Sequence, residues 1–237
     1  MKIINSLIKY FVPPIFRYKI FREKVNKLFR EKDRITYEVN NYSRHSFIMA
    51  AIFKCKKDDC LYLEIGTDKD EVFNTIPLPI GQKIGVDPNS GGTIRIDSDS
   101  FFKTNKKRFD VIFIDGLHHY EQCKRDCKNA MKFLKKDGVI FFHDFLPKNS
   151  YEEKVPRMQN QWCGDVWKVA ADLSQSKNIE FHIINIDRGV GILKLKENSQ
   201  YIEIPNIKEK TFEDFINIYL PKLNIENCER AFKIISS

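Results

Sequence analysis

Five apolar runs in this chain end at, or next to, an acidic residue. Leu61 to Ile65 carries Glu64 and leads into Gly66 and Thr67. Lys83 to Val86 leads into Asp87, and Thr93 to Ile96 into Asp97 and Ser98. Asp110 to Ile114 leads into Asp115, with His118 three residues further on. Val139 to Phe142 leads into His143 and Asp144. Carboxylates accept hydrogen bonds from hydroxyls or hold cations, and an imidazole with its ordinary pKa near 6.5 can remove a proton at neutral pH. His118 is therefore the candidate general base, against the alternative that it pins a loop. Asp115 and His143 are the other catalytic candidates. An acidic strand end also serves as a helix cap, so the row argues for function more than any one member does.

Something must hold these ends together. The runs are short, continuous and rich in β-branched and aromatic residues. Helical patterns separate them: Ser46–Lys56, Lys69–Ile76, Asp99–Lys103, His119–Lys135 and Val166–Gln175. That alternation predicts a parallel sheet covered on both faces. Glu180–Ile186 and Val190–Leu195, separated by Asp187-Arg188-Gly189, predict a closing antiparallel hairpin. The expected fold is α/β: a doubly wound, mostly parallel seven-stranded sheet with an antiparallel last hairpin. In such sheets ligands lie beyond the carboxyl ends of the strands, where the acidic row falls.

The first turn, Glu64-Ile65-Gly66-Thr67-Asp68-Lys69-Asp70, lacks the further glycines of a pyrophosphate loop and carries negative charge, which argues against a dinucleotide. Asp87, about 20 residues on, suits ribose hydroxyls. A nucleoside without a pyrophosphate, such as S-adenosylmethionine, satisfies both observations.

Tyr62-Leu63-Glu64-Ile65-Gly66, Gly85-Val86-Asp87-Pro88, the block from Phe113 to Gln122, and Gly138 to Asp144 together resemble the class I S-adenosylmethionine-dependent methyltransferases. They are similar to the glycan-cluster and macrocin-type sugar O-methyltransferases, as is Trp162-Cys163-Gly164-Asp165-Val166-Trp167-Lys168. The resemblance covers about residues 46–195 and implies a Rossmann-like methyltransferase fold. It implies that Glu64, Gly66 and Thr67 line the methionine end of the cofactor, that Asp87 takes the ribose, that Asp97 and Ser98 lie near the adenine, and that Asp115 sits beneath the reacting centre. In macrocin-type enzymes the equivalent strand-end acids hold magnesium. Asp115 and Asp144 match those positions, so Mg2+ or another divalent metal is an expectation, although His143 offers nitrogen where magnesium prefers oxygen. The implied activity is O-methylation of a sugar, nucleotide-linked sugar or surface glycan, in polysaccharide biosynthesis. Methylation of another small molecule or of a phosphorylated glycan substituent is the alternative.

Trp162, Asp165 and Trp167 have two readings. In one they form a substrate-side lip. In the other Asp165 caps the helix that starts at Val166 and the tryptophans are core.

The net charge of +8 is unevenly placed: residues 1–32 hold nine lysines and arginines against two glutamates. The near-neutral remainder argues against RNA methylation and against a nucleic-acid partner. The titratable groups at so many strand ends argue against a non-catalytic partner subunit. Three zones are expected: a basic, aromatic helical arm over 1–45, the cofactor-binding domain over 46–196, and a helical tail over 197–237 with a helix from Thr211 to Tyr219. The arm packs on the core or on a second copy in a homo-oligomer, or it makes peripheral contact with an anionic membrane. No run reaches the roughly 18 apolar residues of a membrane span. The expected location is cytoplasmic, at most peripheral at the inner membrane face, with six reduced cysteines.

Overall fold

The computed structural model describes residues 32–55 and 59–237, so most of the basic arm lies outside the described residues. Residues 34–237 form one compact unit. Its sheet has seven strands: β1 (Tyr62–Ile65), β2 (Lys83–Val86), β3 (Phe109–Ile114), β4 (Leu134–Phe142), β5 (Lys177–Ile184), β6 (Val190–Gln200) and β7 (Ile225–Glu226). The order is β2-β1-β3-β4-β6-β5-β7. β2, β1, β3 and β4 run parallel, and β6 is antiparallel to both β4 and β5.

Every residue of β3 is buried. Side chains alternate across a strand, so Ile112 and Ile114 enter one core cluster while Val111 and Phe113 enter the other, and Phe109, before the register shift that precedes Val111, joins the first. The first cluster lies under α2 (Ser98–Thr104), α3 (Tyr120–Phe133) and α5 (Trp167–Gln175). The second is covered by α1 (Arg44–Cys55) and α6 (Cys228–Ser236). α1 presents Phe47, Ile48, Ala51 and Ile52 on one face, and Phe47 stacks on Phe232 with ring centroids 4.5 Å apart. A short helix, α4 (Ser150–Glu153), follows β4.

Three elements differ from the sequence reading. The helix expected over Lys69–Ile76 is only a 3-10 turn, Phe73–Thr75. Asp68 and Asp70 take left-handed backbone angles there, and Ile76 is extended before Pro77, as the proline ring requires. The strand expected at Thr93–Ile96 is a single bridge, Val86 to Ile94, because Thr93 and Ile94 both donate to the Gly85 carbonyl. The seventh strand comes instead from the tail. β6 continues to Gln200, β7 pairs parallel with β5, and α6 packs on α1, so residues 197–237 complete the sheet rather than append to it. Thr211 does cap its helix, through a capping box with Asp214, but only Phe212–Asp214 is α-helical and Phe215–Tyr219 continues as a π-helix. Among the described residues no helix is long and apolar enough to cross a membrane.

Candidate active site

The carboxyl ends of β1, β3 and β4 bring Glu64, Asp115, His143 and Asp144 to one cavity of about 270 Å³. Gly66, Thr67, Asp68 and Lys69 form one wall, and Arg157, Asn160, Trp162 and Arg188 line the rest with Arg44 and His118.

At its floor is a chain of charges. His143, 7 % exposed, has Nδ1 3.2 Å from Asp115 Oδ1 and 3.4 Å from Asp144 Oδ2. Its Nε2 is 3.5 Å from Asp187 Oδ1, without hydrogen-bond geometry. Burial alone would lower the His143 pKa, but the charges of Asp144 and Asp115 outweigh it and raise it well above the ordinary value. Three carboxylates around His143 favour its imidazolium, which weighs against the sequence-based case for it as a base. Asp187 in turn accepts from Arg44 Nη1 at 2.6 Å, and Arg44 Nε lies 4.0 Å from Asp115. Despite its burial, Asp115 is held well below the usual carboxylate range by His143 and His118.

His118 sits above this floor. Its Nδ1 is 3.1 Å from Asp144 Oδ2 and 3.2 Å from the Trp162 carbonyl, and its Nε2 is 3.6 Å from Asp115 Oδ1. Both neighbours of Nδ1 only accept, so Nδ1 carries the proton and neutral His118 keeps its lone pair on Nε2. Burial lowers its pKa, but the nearby carboxylates of Asp115 and Asp144 favour the imidazolium and give a net rise. The loop 162–165 clamps this histidine. A Cβ on Gly164, at φ +66°, would stand 1.7 Å from the His118 carbonyl oxygen, so only glycine fits.

For Trp167 the lip reading fails on burial. Trp167 is 0 % exposed and packs on Phe215 and Tyr219. Trp162 lines the cavity, but its ring stacks on His118 at 5.0 Å and carries Arg157 over it at 5.7 Å. Asp165 does cap a helix, though a distant one: it accepts from Tyr120 N at 2.7 Å, at the start of α3, and pairs with Lys168.

The residues expected to hold the cofactor divide. Glu64, Gly66, Thr67 and Asp115 line the cavity, whereas Asp87, Asp97 and Ser98 stand outside it. Asp87 accepts three backbone amides, from Asp68, Asn89 and Ser90, and despite partial desolvation these bonds lower its pKa. A carboxylate offers about four lone-pair sites, so one remains for a hydroxyl. Asp97 caps α2 through Ser100 N, and Ser98 accepts from Gln122. Ile96 and Leu117, 36 % and 54 % exposed, offer apolar surface next to these strand ends. The glycine at 66 serves packing rather than ligand approach: a Cβ there would lie 2.3 Å from the Asp115 carbonyl oxygen. An ionised acid beside exposed apolar residues, with carboxylates along the cavity wall, fits a nucleoside that carries a positive centre.

Asp115, His118 and Asp144 also place one ligand atom each within 4.8 Å of the others, and Asp144 Oδ1 is buried without a hydrogen-bond partner. This donor set fits a divalent ion that accepts nitrogen better than it fits magnesium.

Arg44 and Asp187 had no signal in the sequence. Arg44 lies before the helix expected from Ser46 and Asp187 in a turn, and only the fold brings Asp187 against His143 and Arg44 against Asp187.

Glu64 is 1 % exposed and accepts from Tyr62 Oη at 2.6 Å on the same face of β1. Burial raises its pKa from 4.5 to about 8, against the hydrogen bond from Tyr62, which lowers it. A raised carboxyl pKa means the folded state binds the proton more tightly than the unfolded chain. Stability from this group is full below pH 4.5 and is lost as pH rises towards about 8. Glu64→Gln is expected to flatten the urea-unfolding free energy across that window, by on the order of a few kcal/mol. An unchanged slope would place the buried charge elsewhere.

A family profile described as Methyltransferase domain matches residues 82–145, which span β2 to the end of β4 and include Asp87, Asp115, His118, His143 and Asp144. Among solved structures, a Klebsiella pneumoniae protein described as an O-methyltransferase is 14 % identical, with 81 % of this chain and 95 % of that chain covered and a TM-score of 0.50. An O-methyltransferase from Bacillus cereus is 11 % identical, covering 81 % and 96 %, with a TM-score of 0.48. A Podospora anserina methyltransferase is 14 % identical, covering 79 % and 97 %, with a TM-score of 0.49. No curated protein matches the sequence. At these identities structural likeness speaks to fold alone, and the sheet order with its antiparallel β5–β6 hairpin is that of the Rossmann-like methyltransferases.

Proposed function

We propose that the protein is an S-adenosylmethionine-dependent O-methyltransferase whose base is His118. The observation that carries this reading is the geometry of that histidine: Nδ1 fixed by Asp144 and the Trp162 carbonyl, Nε2 left to accept a proton beside Asp115. When bound, the cofactor supplies an electrophilic methyl group on a sulfonium. The chain's own residues then have three tasks. The β1 turn and the end of β2 seat the nucleoside. The cavity holds an acceptor hydroxyl within reach of His118 Nε2. His118 takes the hydroxyl proton, and Asp115 and Asp144 stabilise the resulting imidazolium.

The acceptor we infer is a sugar, nucleotide-linked sugar or glycan hydroxyl, on the strength of the motifs from Phe113 to Gln122 and Gly138 to Asp144. Another small-molecule alcohol is the second candidate. A divalent ion held by Asp115, His118 and Asp144 is a separate reading, favoured by the unpartnered Asp144 Oδ1, and would lower the pKa of a bound hydroxyl.

Calorimetry tests the cofactor. S-adenosylhomocysteine is expected to bind, and NAD to give no heat. Asp87→Ala should weaken S-adenosylhomocysteine about tenfold or more, the size of a lost charge-assisted hydrogen bond. Tight NAD binding, or no heat with S-adenosylhomocysteine, overturns the reading.

A further inference from the structure

The cavity is lined by both signs of charge. The β1 turn and the residues after it bring Asp68 and Glu71 with Lys69, while Arg157 and Arg188 line the cavity from other segments. The cofactor proposed above is cationic at its sulfonium and ammonium, which the acidic residues suit, and has one carboxylate, fewer anionic groups than two arginines can take.

Arg188 is the unusual member. It lines the cavity half-buried, and among the described residues its guanidinium makes no hydrogen bond or ion pair. Arg44, the other half-buried arginine there, is paired with Asp187. Arg188 also sits in a costly backbone. Asp187, Arg188 and Gly189 take φ of +44°, +61° and +87° in succession. A left-handed conformation costs a non-glycine residue about 1–2 kcal/mol. The β5–β6 hairpin turn requires this conformation, and the Arg188 carbonyl accepts from Leu146 N at 2.7 Å, so the turn is held by the backbone while the guanidinium is left to the cavity. The charges of Asp144 and Glu152 favour the Arg188 cation from a distance, but among the described residues no hydrogen bond satisfies the half-buried guanidinium, so its donors are open to an anionic ligand.

Arg157 supports the same face. Its Nε donates to the Gln159 carbonyl at 2.8 Å, its Nη2 donates to the Asn160 carbonyl, and the group lies over Trp162. These contacts fix its plane and leave Nη1 without a hydrogen bond among the described residues.

We infer that the acceptor carries an anionic group, a phosphate or a carboxylate, and that Arg188 with Arg157 seats it while the acceptor hydroxyl reaches His118. This rests on the methyltransferase reading for the hydroxyl's fate, but the anion seat itself does not need catalysis to be seen.

The test uses the full chain and the fluorescence of Trp162, the cavity tryptophan. Glucose 1-phosphate, glucuronate, inorganic phosphate and glucose are titrated in turn, with and without S-adenosylhomocysteine. At least one of the two sugar anions is expected to bind, and which one binds distinguishes phosphate from carboxylate. Glucose should not bind. Arg188→Gln should weaken the anion about 10- to 100-fold, the range for a charge-assisted hydrogen bond. Arg157→Gln, at an exposed position that leaves the core intact, should weaken it less. S-adenosylhomocysteine affinity should change less than about twofold, against the tenfold of one such bond.

Equal binding of glucose and the anions overturns the inference, as does anion binding indifferent to Arg188→Gln. A parallel loss of S-adenosylhomocysteine affinity in Arg188→Gln also overturns it, since the guanidinium would then serve the cofactor's carboxylate. Wild-type protein that binds the anion through Arg188 but not S-adenosylhomocysteine upholds the seat and overturns the methyltransferase reading instead.

Discussion

His118→Ala is expected to lower the maximal methyl-transfer rate about 10²–10⁴-fold, the contribution of one positioned general base. Affinity for S-adenosylhomocysteine should barely move, because the imidazole faces the acceptor side and is held by Asp144, Asp115 and the Trp162 carbonyl. A split between rate and cofactor affinity is what distinguishes a base from a loop pin, since loss of the pin would also disturb the loop 162–165 and the melting temperature. Chelation separates the two chemical versions. If His118 acts alone, a chelator leaves the rate unchanged. If the ion reading holds, a chelator removes activity and manganese or zinc restores it. A His118→Ala enzyme with full activity on its true acceptor would show that the residue only shapes the loop.

His143→Ala is expected to destabilise the protein by about 3–5 kcal/mol, the cost of removing one partner from a buried ion pair. The imidazolium stands among Asp115, Asp144 and Asp187, and Asp144 is only 2 % exposed, so its loss leaves carboxylates facing one another without water. The midpoint of urea unfolding measures this directly. Adding Asp144→Asn to His143→Ala should recover part of the loss, because neighbours in one charge network are not additive. A single-variant loss below about 1 kcal/mol, the level of an exposed pair, would mean that the cluster is more hydrated than its burial indicates.

The sheet was legible because its signals are local. Short apolar runs such as Val111 to Ile114, alternating with longer helical patterns, read as strands buried on both faces joined by parallel crossovers. The turn chemistry at Asp187-Arg188-Gly189 likewise dictated an antiparallel close. From the strand rule alone, Glu64, Asp115, His143 and Asp144 could be assigned to one end of the sheet, and the structure gathers them around one cavity.

Other features depended on contacts distant in sequence. The case for His143 as a base weakened, because a histidine's charge is set by how near its neighbours stand, here Asp144 and Asp115, and a strand pattern gives their order but not their distances. Asp165 caps a helix that begins 45 residues earlier rather than the one that follows it. Trp162 and Trp167 look alike in sequence, yet one lines the cavity and the other is core. The chain beyond residue 196 read as an appendage because the two-residue β7 carries no periodicity. Its place beside β5 is decided by register and by the packing of α6 on α1. The sequence by itself determined which residues end the strands, since hydrophobic pattern is a local property. The tertiary structure alone decided which of those residues share a proton or a charge, since electrostatic partnership depends on distance through space.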